Sequence, residues 1–254
     1  MAEPIRVMRD GDVLRLTLTR PDRLNAAPPD MFDAIRAALA GMGDARAVLI
    51  AGDGRGFCAG ADIAGAGDAA AIHAALTDHY HPTIQAIADL AIPVVSAVHG
   101  PAAGIGCSLA LAADFCVATQ DAYFLQAFVQ IGLVPDGGAS WMLPRLIGRA
   151  RATRMMMLGE RIPAQTALDW GMIHAVVDGA ALEDEALALA RRLAAGPTVA
   201  LGLMRRTLTR ALGEDLPATL AREADAQSRA RDTDDAVEGA SAFLGKRTPR
   251  FRGR

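Results

Sequence analysis

The strongest constraint in this chain is a pair of short glycine-bearing runs, Gly56-Phe57-Cys58-Ala59-Gly60-Ala61-Asp62-Ile63 and Ala102-Ala103-Gly104-Ile105-Gly106-Cys107-Ser108-Leu109-Ala110. Each follows an apolar, β-branched segment: Val48-Leu49-Ile50 before the first, Pro93-Val94-Val95-Ser96-Ala97-Val98 before the second. A strand that runs into glycine and alanine can turn sharply and bring its backbone close to a ligand, because little side chain stands in the way. Two such turns can aim two main-chain N–H groups at one oxygen atom. That arrangement is an oxyanion hole, and it implies chemistry through an enolate or a tetrahedral anion.

Composition narrows the setting. With 254 residues, 52% of them hydrophobic, the chain has material for one large domain or two small ones around a sizeable core. A formal net charge of −3 carries no basic footprint for nucleic acid. The local exception is the arginine-rich end from Lys246 to Arg254, which reads as a solvated tail or as a contact to an anionic ligand group. Three cysteines, Cys58, Cys107 and Cys116, lack metal-ligand spacing, and their odd number suits free thiols in a reducing compartment, the cytoplasm. Their apolar and glycine-rich surroundings mark them as packing residues rather than nucleophiles. His73, His79, His99 and His174 show no metal spacing, so no metal is expected. Met1-Ala2-Glu3-Pro4 lacks a basic stretch followed by an apolar run, so no signal peptide is expected. The stretch from Leu90 to Ala113 contains no Asp, Glu, Lys or Arg and is long enough for a membrane span. Pro93, Gly100, Pro101, Gly104 and Gly106 divide it into strand, turn and helix, which predicts a buried core segment and no membrane association.

Periodicity organises the rest. Val13–Leu18 reads as a strand with Leu14, Leu16 and Leu18 on one face. Pro28-Pro29 opens a helix carrying Met31, Ile35 and Leu39, since proline is tolerated in a first turn. Strands are predicted at 47–51, 92–98, 114–118, 122–125 and 173–177. A helical pattern covers 69–90, with an interruption expected at Pro82. Residues 104–112 read as another helix. After Gly138 the character changes to helices at 139–147, 150–158, 163–169, 180–194, 198–212, 216–230 and 233–244. Alternation of strand and helix in the first half predicts an α/β core.

The ordered set of motifs resembles the enoyl-CoA hydratase/isomerase (crotonase) superfamily. It comprises Arg20-Pro21-Asp22-Arg23-Leu24-Asn25-Ala26, the Phe57–Ile63 run, His99-Gly100-Pro101-Ala102-Ala103-Gly104, Asp114, Gly132-Leu133-Val134-Pro135-Asp136-Gly137-Gly138, and Ala242-Phe243-Leu244-Gly245-Lys246-Arg247. The resemblance covers nearly the whole chain. It implies a spiral of βαβ-type turns over residues 1–195 and a C-terminal helical region, 196–254, that assembles a homotrimer or a dimer of trimers. It implies an acyl-CoA substrate and no separate cofactor, CoA entering as part of the thioester. The oxyanion donors are then the N–H groups of Ala61 and Ile105, at the mouth of a helix whose positive end points toward the oxygen. Ile105 stands where many hydratases carry glycine, and its side chain is expected to narrow the acyl pocket. Leu24, Asn25, Ala26, Ala59, Gly60, Asp62, Ile63 and Ala64 match the region that receives CoA, and Gly104 the second turn. Asn25 and Asp62 also suit loop bracing. Phe243 and Lys246 match tail positions that reach CoA from a neighbouring subunit, although Phe243 taken singly reads as a core anchor.

The acid–base group is where this chain departs from hydratases. Ser108 and Phe128 occupy the two positions at which the hydratase carries water-activating glutamates. The carboxylate that remains is Asp136, which matches the catalytic aspartate of isomerases in the superfamily, and the segment Phe128–Asp136 looks most like ring-1,2-epoxyphenylacetyl-CoA isomerases and 3-enoyl to 2-enoyl isomerases. One base suffices to move a double bond, and an apolar site should raise its pKa. Hydration with Asp136 as the lone acid/base group is the close alternative. Aryl-CoA substitution using Asp136 and His81, by resemblance to dehalogenases, and a non-catalytic acyl-CoA-binding scaffold are further ones. Ser108 and Ser140 have no hydrolase partners in sequence, and Trp141 and Met155-Met156-Met157 read as core or pocket wall.

Overall fold

Strict side-chain alternation in the strands divides the apolar residues between two faces of one sheet. In the computed structural model, which describes residues 3–64 and 67–254, six strands form this sheet in the order β1 (Ile5–Asp10), β2 (Val13–Leu18), β3 (Ala47–Gly52), β4 (Val94–Val98), β6 (Phe115–Thr119) and β9 (Ala175–Val177). β1 and β2 are an antiparallel hairpin, and every later pair is parallel. Each parallel crossover lands on the next position along the sheet, so the chain advances in one direction and winds as a spiral. A smaller sheet joins β5 (Pro101–Ala103), β7 (Tyr123–Leu125) and β8 (Ile162–Pro163).

Leu14, Leu16, Leu18, Val48, Ile50, Val94 and Val98 face the larger core, together with Met31, Phe32, Ile35 and Leu39 of α1 (Pro29–Ala40). Their alternates Val13, Ala47, Leu49, Val95, Ala97 and Val117 form a second cluster on the opposite face. That face is covered by Leu182, Ala186, Leu187, Ala190 and Ala194 of α7 (Leu182–Ala194). The 90–113 stretch is β4, β5 and α4 (Ile105–Leu111), all largely buried. Among the described residues no single helix is long and apolar enough to cross a membrane.

Three strands escaped the sequence reading. β1 is an edge strand buried only at Ile5, with Arg6, Arg9 and Asp10 in ion pairs, so it shows too little apolar alternation to reveal it. β5 and β8 are too short to carry a period. The 69–90 helix is continuous rather than interrupted: α2 (Ala69–Ala74) passes through a wide π turn (Ala75–Tyr80) into α3 (His81–Asp89), placing Pro82 in a first turn. The wider turn accommodates a residue that donates no hydrogen bond. The predicted break near residue 148 is present in α5 (Ala139–Leu158), where Gly148 takes a non-helical conformation. Of the Met1–Pro4 start, Met1 and Ala2 lie outside the described residues.

After α6 (Ala164–Asp169) and α7, the helices α8 (Thr198–Ala211), α9 (Leu216–Arg231) and α10 (Asp234–Leu244) follow. Arg205 docks α8. Its buried guanidinium holds Asp114 at 2.7 Å and donates to the carbonyls of Ala88 and Leu90, while Asp114 also accepts from Val94 N–H. Arg205→Ala is expected to cost about 3 kcal/mol, because it strands two carbonyls and a carboxylate together. Urea unfolding of the variant beside the parent measures it; a loss under 1 kcal/mol would show that solvent replaces the guanidinium. The arginine-rich end is not a free solvated tail: Arg247 pairs with Glu238 at 2.6 Å, and the N–H groups of Arg252 and Gly253 donate to Asp235.

Candidate active site

The two glycine-bearing runs lie side by side because the chain stitches them together. Cys58 N–H donates to Pro101 C=O at 3.0 Å, and Ala103 N–H to Cys58 C=O at 2.9 Å, a short parallel bridge between the first run and β5. A second bridge braces the far side of the first run: Ala27 N–H donates to Gly60 C=O at 2.8 Å and Asp62 N–H to Ala27 C=O at 3.0 Å. The N–H of Ala61 lies between these two bonds, and among the described residues it meets no acceptor. In the second run Gly104 N–H donates to Leu125 C=O at 2.8 Å, while Gly104 C=O accepts from Cys107 and Ser108. Ile105 N–H opens α4 and likewise has no acceptor among the described residues, as expected of a first helical N–H.

Gly60 and Gly104 hold φ of 113° and 52°, conformations that L side chains rarely adopt. A methyl group on Gly104 would lie 3.8 Å from Gly60 Cα and 3.4 Å from the Phe128 ring, so the turns adjoin and Phe128 packs over the second. A methyl group on Gly106 would meet Cys58, its Cβ at 2.6 Å. Two unsatisfied N–H groups are thereby held on adjacent turns, a geometry suited to stabilising negative charge on one oxygen.

Asp136 stands on the turn that leads into α5, packed on the first turn of α4. A methyl group at Gly137 would strike Ile105 Cδ1 and lie 2.9 Å from Ser108 Cβ. The Ile105 side chain is therefore committed to this contact. Ser108, fully buried, donates its hydroxyl to the main-chain carbonyl of Asp136 at 3.1 Å. Asp136 Oδ1 is buried with no hydrogen-bond partner among the described residues, and desolvation raises the carboxyl to about 6. A desolvated carboxyl on a turn packed against α4 has the chemistry of a general base. Ser108→Ala should lower turnover several-fold by loosening the turn, while the melting temperature falls by a few degrees at most. Steady-state kinetics and a melt decide it; unchanged turnover would reduce Ser108 to packing.

Around the mouth, Leu24 and Asn25 adopt positive φ, and Asn25 is completely buried. Its amide accepts from Arg20 N–H at 2.8 Å and donates to Asp53 C=O and Gly56 C=O, so it braces both loops. Arg20 also donates to Ala26 C=O and pairs with Asp62 at 2.9 Å, which holds the Asp62 carboxyl below its usual range. Ala59, Ile63 and Ala64 are exposed at the rim. Phe243 is 84% exposed on α10, which overturns its reading as a core anchor, and Lys246 follows with φ of 50°. Trp141 lies under Arg145 on the surface, and Met157 is exposed as well; of the methionine triplet, Met155 alone is fully buried. Burial pushes the thiols of Cys58 up to about 11 and of Cys107 and Cys116 to about 12, as inert packing residues require. Among the described residues no group of three or more metal-ligating side chains gathers.

Sequence reasoning passed over Tyr80, and it assigned no supporting role to Arg20 or to Ser108. His81 is exposed on α3, whereas the preceding Tyr80 turns inward and is 5% exposed. The signal was present: Leu76, Tyr80, Ile84 and Ile87 recur at helical spacing, which marks Tyr80 as part of the inward face.

Known proteins resemble this chain over most of their lengths. A probable enoyl-CoA hydratase of Rhodobacter capsulatus is 42% identical over 94% of each chain. The 1,2-epoxyphenylacetyl-CoA isomerase of Escherichia coli is 41% identical over 95% of each. The crystal structure of an enoyl-CoA hydratase from a Polaromonas species superposes with a TM-score of 0.93 at 38% identity, covering 98% of this chain and 99% of that one. Residues 9–254 match the Enoyl-CoA hydratase/isomerase family. With the spiral, the paired turns and the aspartate turn in place, the chain belongs to the enoyl-CoA hydratase/isomerase family and has the crotonase fold.

Proposed function

We propose that this enzyme moves a double bond in an enoyl-CoA thioester, with Asp136 carrying the proton. The observation that carries the proposal is the buried, unpartnered Oδ1 of Asp136 on a turn locked against α4, while Ser108 and Phe128 stand at the positions where a hydratase places its glutamates. Asp136 removes a C2 proton from a 3-enoyl thioester. The electron pair moves into the thioester, and the N–H groups of Ala61 and Ile105 hold the resulting oxygen charge. The same carboxyl returns the proton at C4, leaving the 2-enoyl thioester, so a single group balances the reaction. The N–H donors stabilise the dienolate more than the ground state, which is what lowers the barrier. Phe128 beside Gly104 keeps the site apolar and offers water no general base.

On this reading the 24–26 and 59–64 segments receive the CoA moiety, with Phe243 and Lys246 supplied by a neighbouring subunit. Residues 196–254 form the assembly region of a homotrimer, and the exposed Met204, Leu208, Leu212, Leu216 and Leu220 support a covered surface there. The test is NMR of 3-enoyl-CoA and 2-enoyl-CoA with the enzyme in D2O. Double-bond migration with deuterium at C2 or C4 is expected. A 3-hydroxyacyl product would overturn the proposal in favour of hydration.

A further inference from the structure

We propose that Tyr80 is a positioning residue that couples the α2–α3 segment to the first oxyanion donor. It rests on the reading of Ala61 N–H as such a donor. Tyr80 is the last residue of the π turn, 5% exposed, and its ring meets Phe32 of α1 edge-on with centroids 4.8 Å apart. Its hydroxyl donates to Ala27 C=O at 2.8 Å. That carbonyl already accepts from Asp62 N–H at 3.0 Å, and Ala27 N–H holds Gly60 C=O at 2.8 Å. Ala27 therefore grips the residues on both sides of Ala61, and the phenol in turn grips Ala27.

The π turn gives this contact its meaning. A regular helix from Ala69 to Asp89 would rotate Tyr80 relative to Phe32 and Ala27; one widened turn changes the phase of everything after it. The segment is otherwise fastened to α1 by polar bonds that include Thr83 Oγ1 to Phe32 C=O at 2.8 Å and His79 Nδ1 to Asp33 at 2.6 Å. Tyr80 alone among these reaches the strand-like bridge that carries Ala61. Burial, and after it the charge of Asp136, push the phenol above its ordinary value, so it stays neutral and donating. The outcome is a direct mechanical link: when the helical segment seats on α1, the hydroxyl seats Ala27, and the Ala61 N–H is aligned. Oxyanion stabilisation depends on donors that need no reorganisation as charge develops, so a loosened Ala27 should act on turnover rather than on affinity.

The test uses the full-length enzyme and a chromophoric cinnamoyl-type CoA thioester, whose absorption band moves to the red when its carbonyl is polarised. Parent, Tyr80→Phe and Asp136→Asn are titrated with it, and turnover of a 3-enoyl-CoA is measured in parallel. The parent and Asp136→Asn are expected to show the full red shift, because the donors do not depend on the carboxylate. Tyr80→Phe keeps the ring; it should show a smaller shift and about tenfold lower kcat, with KM within about threefold. Its pH profile should keep the parent's acidic limb, and melting curves establish that it is folded. A full red shift and full kcat in Tyr80→Phe overturn the coupling while leaving the reaction assignment intact, as does a KM effect with kcat unchanged. Absence of any red shift in the parent overturns the oxyanion reading on which the coupling rests.

Discussion

Asp136→Asn is expected to lower isomerase turnover by about 10³-fold, within the range that a positioned acid–base group contributes, with thioester affinity little changed. The amide fills the same space but takes no proton. In the parent, kcat/KM should rise with pH and level off above about 6, since the base works as the carboxylate and desolvation has raised it to about 6. Below that value each pH step should cost about tenfold. Stability should run the other way. The unfolded chain releases this proton at the ordinary carboxyl value of 3.8, whereas the folded enzyme keeps it until about 6. Between those values the native state binds more protons, so this group makes the protein less stable as pH rises from about 4 to 6, and the penalty persists above. Its size is on the order of 2–3 kcal/mol. Asp136→Asn should therefore be more stable than the parent at pH 7.5 and about equal near pH 3.5. Urea unfolding at the two pH values measures this. Loss of activity with no gain in stability at pH 7.5 would mean that the carboxylate is not desolvated in solution.

Gly106→Ala is expected to be strongly damaging, although the residue touches neither proton nor thioester. An added methyl group would collide with Cys58, whose N–H and C=O form the bridge between the two turns. Relief requires the first run to move away from α4, which separates the Ala61 and Ile105 donors. Loss of one donor raises a barrier by about 2.7–4 kcal/mol, or 10²–10³-fold in kcat. Overpacking of this kind costs about 1–3 kcal/mol of stability. Kinetics and denaturant unfolding on the same preparation separate the two effects. A variant that folds and retains more than a tenth of parental turnover would show that the bridge yields without moving the donors.

How much was legible in the sequence follows from the range of each signal. The β2 strand, α1 and the buried β4–α4 stretch announced themselves because alternation, helical spacing and an initial proline are local. Asp136 and the two runs could be named because their residue types and order are distinctive. The edge strand β1 could not, since a strand that buries only Ile5 carries almost no alternating pattern. The exposure of Phe243 was equally hidden: a phenylalanine four residues from Gly239 and six from Val237 on an amphipathic helix looks the same in one dimension whether its face is covered or bare. The pairing of Arg205 with Asp114 joins residues 91 positions apart, and nothing in either neighbourhood points to the other.

By itself the sequence determined the family, the spiral α/β architecture and the residue types available for chemistry: two small-residue turns, one carboxylate between proline and glycine, and serine and phenylalanine where glutamates would add water. These are properties of short segments and their order. Only the tertiary structure decided that Ala61 and Ile105 leave their N–H groups without an acceptor among the described residues, that Ser108 supports the Asp136 turn, and that the Tyr80 hydroxyl reaches Ala27. Each of those depends on which distant backbone group receives a hydrogen bond, and a hydrogen bond made within about 3 Å cannot be read from a pattern that records only neighbours along the chain.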